Sequence, residues 1–479
     1  MIDMVPDVAL LEIFDFYVDD DDDDADLEDW HTLVHVCRKW RNVVFGSPRR
    51  LNLRLYCTAR TPVKETIDAW PLLPIIVWGD GHKRWGVDNI IAALEHNDRI
   101  HELYLLRFTS SQMEKVLPAM LQPFPALEYL RLCSIDESKV VPASFLGGSA
   151  PQLRSLWLTR FLFPGLPKLL LSATHLVYLF LIAIPHSGYF SPEAIVTSLS
   201  ALTSLETLHI GFKSPRSRPD RRRHPPPLTR TLLPALTDFE FHGVSEYLED
   251  LVARIDAPLL DKFLITFFHQ LIFDTPQLTQ FISRTPNFKT CDDARVQFSG
   301  CCLWVSTIDK TLELQILCKP SDWQLSSLAQ VCGSIFISPI EYLYISEGLR
   351  PDGERTLEVL PELDDLVCPT RGGRSWSWQD DIETGQWLEV LEQLTAVKDL
   401  RISQKFTPLI APTLQELVGE RVAEVLPALQ TLFLEETLPS GVQESIDKFV
   451  AARELAGHPI TVSRWEESDE ESDEDLDSD

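Results

Sequence analysis

The sequence of 479 residues predicts an α/β chain in three parts. A small helical module occupies residues 1–50. An irregular solenoid of strand-and-return repeats follows over 51–463, its strands forming a parallel sheet curved like a horseshoe. A disordered acidic tail closes the chain over 464–479. Three observations carry this expectation. A form apolar-x-x-apolar-x-apolar recurs through most of the chain. The first 48 residues carry apolar residues at helical spacing instead. The last fourteen residues, "EESDEESDEDLDSD", hold ten acids and almost no apolar surface, a composition that cannot repay the entropy of packing.

The module starts at Pro6 and Asp7, a helix-opening pair. Leu10, Ile13, Phe14 and Tyr17 then fall on one helical face. Six aspartates at 19–24 interrupt it and predict a solvated loop. A second helix begins near Asp26, where Trp30, Leu33, Cys37, Trp40 and Val44 advance by 3, 4, 3 and 4, with Val36 beside them. Gly46 and Pro48 end it.

From Leu51 the period changes. "LNLRLY" alternates like a strand, and "PIIVW" at 74–78 is a short apolar strand. The recurring form then appears as "IHELYL" from Ile100, "LEYLRL" from Leu127, "LRSLWL" from Leu153, "LVYLFL" from Leu176, "LETLHI" from Leu205, "LTDFEF" from Leu236 and "LDKFLI" from Leu260. These copies start 27, 26, 23, 29, 31 and 24 residues apart. "IEYLYI" from Ile340, "VKDLRI" from Val397 and "LQTLFL" from Leu429 repeat it later. This is the period of a leucine-rich-repeat solenoid, in which each copy supplies one strand and a return segment. The asparagine that usually closes such a repeat is missing and the spacing is irregular, so the repeat is degenerate. Proline before several copies ("FPAL", "APQL", and "LPAL" twice) is expected to end a return helix. Between 285 and 335, "RVQFS", "CLWVS" and "LELQILC" read as three strands, a hairpin with an extra repeat. "KSPRSRPDRRRHPPP" at 213–227 reads as a Pro/Arg-rich loop within the array: a solvated surface, a nuclear-import-like cluster, or a partner for acidic segments.

Composition excludes several functions. The net charge is −29 and the pI near 4.8, so the chain repels phosphate backbones and no nucleic acid is expected as partner. No apolar run reaches membrane-spanning length, and "MIDMVPDVALLEIFDF" lacks the basic start of a signal peptide; no membrane is expected. The nine cysteines at 37, 57, 133, 291, 301, 302, 318, 332 and 368 are odd in number and form no CxxC pair. They are expected to be reduced thiols in a cytoplasmic or nuclear protein. His31 and His35 stand four apart, without the further ligands a zinc site needs. Arg38, Lys39, Arg41, Arg49 and Arg50 lack a recognition-helix partner. No GxSxG, GxGxxG, Walker A or HExxH motif occurs. Neither catalysis, nor a cofactor, nor a metal is expected.

"VPDVALLEIFDFYV" followed by "WHTLVHVCRKWRNVVFGSPR" resembles the F-box. Val5-Pro6 stands for the family's Leu-Pro, Leu10, Leu11, Ile13 and Phe14 match its LLxIF part, Val36, Cys37, Arg38, Trp40 and Arg41 match VCRxWR, and Ser47-Pro48 matches its end. Val5, Val8 and Ala9 depart from the family pattern, and the aspartate run falls in its variable gap. The layout is similar to the F-box-like chains expanded in mushroom-forming fungi. The resemblance implies docking on the Skp-type adaptor of a cullin–RING ubiquitin ligase, with the repeats capturing a target protein. It assigns adaptor docking to Pro6, Leu10, Leu11, Ile13, Phe14, Leu33, Val36, Cys37 and Trp40, with Pro6 and Leu11 foremost on the partner side. Which of these form the module's own core is left open. The alternative is a repeat scaffold outside any ligase, its F-box vestigial.

The residues beside each repeat's inward pair are expected on the exposed concave face. Tyr104, Tyr129, Trp157, Tyr178 and Phe180 fall there and are the candidates for binding the target, since aromatic residues lead among binding hot spots. The competing reading is that another segment covers these rings. Ser468 and Ser472 in the tail each have an acid three residues on and look like acidophilic-kinase sites.

Overall fold

Apolar residues, most often leucine, at the first, fourth and sixth positions of each copy build the core. Leu127, Leu130 and Leu132 are at most 1 % exposed, and the equivalent residues of the other copies are similarly enclosed. Each leucine removed from water stabilises by roughly 1.5–3 kcal/mol. All ten copies lie on strands, and from "LEYLRL" onward each strand begins two residues after the copy's first apolar residue. The computed structural model describes residues 5–18, 33, 35–46, 53–70, 72–81, 86–136, 140–219, 229–270, 272–288, 292–299, 302–318, 321–334, 340–347, 384–435 and 438–465. The aspartate run, residues 220–227 of the Arg-rich loop and the acidic tail from 466 lie outside them.

The chain divides into two units, Met1–Phe190 with Ala201–Leu205, and Ser191–Ser200 with Glu206–Asp479. Unit 1 opens with helices Asp7–Val18 and Arg38–Gly46. Its strands are β1 (Leu53–Tyr56), β2 (Ile75–Asp80), β3 (Ile100–Phe108), β4 (Tyr129–Ser134), β5 (Ser155–Thr159) and β6 (Tyr178–Ile184). They pair in chain order and all in parallel. Parallel neighbours need a crossover. Here it is a short helix, such as Val87–Leu94 after β2 or Ser110–Val116 after β3. The second starts at a capping box: Thr109 accepts from the Gln112 backbone, and the Gln112 side chain accepts from Thr109 N at 2.9 Å.

The prolines act differently from the expectation. Pro125, Pro151, Pro234 and Pro427 do not end helices. Each occupies the second position of a turn closed by Leu127 N→Phe124 O, Leu153 N→Ala150 O, Leu236 N→Leu233 O and Leu429 N→Leu426 O, at 3.1–3.4 Å. The fixed proline φ suits that turn position. Both ends of each turn are buried, so the turn drives the next leucine inward.

Two arginines share a further device. Arg107 and Arg160 adopt left-handed backbone, φ 55° and 62°, at the ends of β3 and β5, a conformation costing roughly 1–2 kcal/mol. Each side chain reaches back to the preceding repeat. Arg107 pairs with Asp80, and Arg160 donates to Ile135 O at 2.6 Å.

Unit 2 holds β7 (Thr207–Phe212), β8 (Thr231–Leu232), β9 (Asp238–Gly243), β10 (Ile255–Asp256), β11 (Lys262–Phe268), β12 (Asp293–Phe298), β13 (Cys302–Thr307), β14 (Leu312–Leu317), β15 (Tyr342–Glu347), β16 (Asp399–Ile402), β17 (Thr431–Glu435) and β18 (Thr461–Trp465). Its main sheet runs β7-β9-β11-β14-β13-β12-β15-β16-β17-β18, while β8 and β10 pair separately. The three strands expected between 285 and 335 are present. They form an antiparallel meander, β12 on β13 and β13 on β14. β14 lies parallel to β11 and β12 parallel to β15, so the repeat direction resumes after it.

Candidate functional site

Alternation sends every second residue of a strand to the face opposite the leucine core. Register then decides which of these become neighbours. In unit 1, Tyr56 is paired with Trp78, Trp78 with Tyr104, Tyr104 with Arg131, Arg131 with Trp157 and Trp157 with Phe180. One row across six strands is therefore aromatic except for a single arginine, and all of it is half-buried.

The row is stacked. Trp78 and Tyr104 lie 4.3 Å apart at 15°, and Trp157 and Phe180 lie 4.2 Å apart at 20°. The Arg131 guanidinium sits 4.3 Å over Trp157, a cation–π contact. Tyr56 extends the row beyond Trp78 at 6.2 Å. Neither the Trp78 indole Nε1 nor Arg131 Nε has a hydrogen-bond partner among the described residues. No carboxylate of the described residues forms an ion pair with Arg131.

A second row lies beside the first: Glu102, Tyr129, Ser155 and Tyr178 in register. Tyr178 is the most open of these rings, 39 % exposed. Tyr104 donates to Glu102 at 2.9 Å. Burial first, then the Glu102 charge, push the Tyr104 phenol up, so it stays a donor. Burial raises Glu102, but His101 and Tyr104 outweigh it and hold the carboxyl below its ordinary value. The Cys133 thiol behind the row is pushed up by burial. Cys57 is pushed up to about 12 for the same reason. Both thiols stay protonated, the reverse of what a nucleophile needs.

The five expected target-binding residues are thus placed in two adjoining rows, Tyr104, Trp157 and Phe180 in one and Tyr129 and Tyr178 in the other. Sequence reasoning missed Tyr56, which ends β1, and Trp78, which lies within β2. Aromatic residues in the two strands that precede the first regular copy were the available signal.

On unit 2 the corresponding face is more charged. His209 Nδ1 meets Glu240 at 3.2 Å. Arg295 lies over Tyr344 at 5.3 Å and Arg401 over Phe433 at 5.0 Å, and Tyr344 is paired in register with Arg401.

The N-terminal helices of unit 1 form the second candidate surface. Leu10 and Phe14 are 2 % and 5 % exposed, and Leu33, Val43 and Val44 are buried with them. The Phe14 ring stands edge-on to Trp40 at 4.8 Å. Lys39 Nζ donates to Val5 O at 2.6 Å and lies 3.6 Å from Asp7, tying the second helix to the start of the first. Outside this contact stand Val8, Ile13 and Val36, 69 %, 53 % and 49 % exposed. Pro6 is also exposed, and Leu11, Cys37 and Trp40 are half-buried. The expected docking residues therefore separate into an inner set, Leu10, Phe14 and Leu33, and an outer one. Val8 joins the outer set although it departs from the family pattern.

Among the described residues no group of three or more His, Cys, Asp or Glu side chains could hold a metal ion. No described helix is long and apolar enough to cross a membrane.

No protein-family model matches the chain, and no curated protein matches it. Among solved structures, the leucine-rich repeat-containing protein LegL7 from Legionella pneumophila is similar over 85 % of this chain and 98 % of its own, at 10 % identity and a TM-score of 0.22.

Proposed function

We propose that the chain is the substrate-recognition subunit of an SCF-type ubiquitin ligase, acting in the cytoplasm or nucleus. Its N-terminal helices dock a Skp-type adaptor and its repeats hold a target protein. One observation carries the docking half. An N-terminal segment that already buries Leu10, Phe14, Leu33, Val43 and Val44 still presents Val8, Ile13 and Val36 to solvent. A module this short has little core of its own, and exposed apolar residues on it suit a partner surface that excludes water. The VCRxWR resemblance names the kind of partner. The stacked row of unit 1 supports the target-holding half.

The test is co-purification of the full chain with a Skp-type adaptor. Wild type retains the adaptor, and Ile13→Asp with Val36→Asp loses it while the repeats stay folded by circular dichroism. A wild-type chain that retains no adaptor overturns the ligase reading and leaves an interaction scaffold with a vestigial module.

A further inference from the structure

The unit 1 face has one feature that a general protein-binding surface does not need. Arg131 is its single cation inside a row of rings, flanked in register by Tyr104 and Trp157. A guanidinium set in such a place normally has a carboxylate partner. Here Nε is unpaired, and no ion pair is made with the described residues. The nearest acid in the adjoining row, Glu102, is already engaged by His101 and Tyr104.

We propose that this face binds an extended acidic–apolar peptide segment of the target, one Asp or Glu carboxylate pairing with Arg131 while apolar side chains on either side lie against Trp78 and Tyr104 and against Trp157 and Phe180. Charge complementarity selects the acid. A planar guanidinium presents a fork that matches a carboxylate, and the rings around it lower the local dielectric and strengthen the pair. A single fork favours carboxylate over phosphate, whose recognition uses clusters of arginines. Geometry selects the extended form. Six strands about 4.8 Å apart span roughly 24 Å, the reach of about seven or eight residues of extended chain. The chain's net charge of −29 repels an acidic partner at long range, so affinity comes from these local contacts and not from steering.

The inference rests on the reading that the repeats hold a target, and it is tested apart from the adaptor. The probe is a labelled peptide of about eight residues with leucine and one central glutamate. It is titrated into the full chain by fluorescence anisotropy, against the same peptide with glutamine, lysine or phosphoserine at the centre. The glutamate peptide binds, and the glutamine and lysine peptides bind at least about tenfold more weakly. Arg131→Gln lowers glutamate binding to the glutamine level and leaves the glutamine peptide unchanged. Trp157→Ala weakens both. Because Arg131→Gln is read as a difference between two peptides on one variant, a folding defect, which weakens both alike, does not imitate this result. Equal binding of the glutamate and glutamine peptides, no binding of either, or tighter binding of the phosphoserine peptide overturns the proposal. Adaptor co-purification, measured on the same preparations, reports separately on the ligase reading.

Discussion

Arg453 Nη2 donates to the carbonyl oxygen of Leu429 at 3.1 Å, from a side chain only 1 % exposed. The same guanidinium reaches Val422 O at 2.9 Å, Leu426 O at 3.3 Å and His458 O at 3.1 Å. Burial pulls its pKa down, yet the charge is retained because backbone carbonyls surround it. Helix Ser440–Leu455 is thereby pinned to the turn that leads into β17. Arg453→Met leaves those carbonyls without donors and is expected to cost about 3–5 kcal/mol. Arg453→Lys, a point charge that cannot span the fork, is expected to fall between. Urea midpoints check this, together with amide exchange in β17 and β18. A Met variant with the wild-type midpoint contradicts it.

A close approach predicts the second result. Gly81 N donates to Leu106 O at 2.8 Å, and a Cβ on Gly81 would stand 1.9 Å from Arg107 O. Arg107 is already in left-handed backbone and cannot yield cheaply. Gly81→Ala is expected to cost ~2–4 kcal/mol and lower the melting temperature. Gly385 has nothing within 4 Å of the same position and lies in helix Thr384–Gln393, so Gly385→Ala is expected to stabilise by about 0.5–1 kcal/mol. Equal melting shifts for the two would remove the steric argument.

The third result concerns acid. His242 is held down at about 4 from an ordinary 6.5, by burial first and then by the His209 charge, with Glu240 opposing. Its Nε2 has no partner among the described residues. The unfolded chain takes up a proton as pH falls through 6.5, and the folded chain does not until about 4. The stability contribution is therefore complete above pH 6.5 and is lost on descending to 4, by up to about 3 kcal/mol. His242→Gln is expected to flatten unfolding free energy across that window. If the slope persists unchanged in the variant, another group titrates there.

The repeats were legible because their signature places three buried side chains at fixed offsets, the first ahead of the strand and the other two alternating along it. The return segments were not. Leu166–Leu170 is five residues long, too short for a 3.6 period to declare itself. Tyr56 and Trp78 escaped because β1 and β2 carry no copy of the signature. The register between Ile75 and Ile76 also shifts, so alternation within one strand could not say which residue of the next would face it. Arg453 escaped for a different reason. Its partners are backbone carbonyls, which leave no mark in a sequence. The N-terminal candidates were recognised as a group, but the two helical periods overlap too closely to divide core from surface. Leu10 and Phe14 against Ile13 and Val36 had to be separated by packing.

That division supplies the last prediction. Phe14 is 5 % exposed and stands against Trp40, whereas Ile13, its neighbour in sequence, is 53 % exposed. Phe14→Ala opens a cavity between the two helices and is expected to cost about 3–5 kcal/mol locally. Amide protection in Arg38–Gly46 falls with it. Ile13→Ala is expected to change stability by less than about 0.5 kcal/mol, since more than half of the residue is exposed. Both are expected to weaken adaptor retention, Phe14→Ala by unfolding the docking surface and Ile13→Ala by removing part of it. Exchange rates measured beside retention distinguish the two causes. Retention at the wild-type level in Ile13→Ala, with protection intact, would place the docking surface elsewhere on the chain.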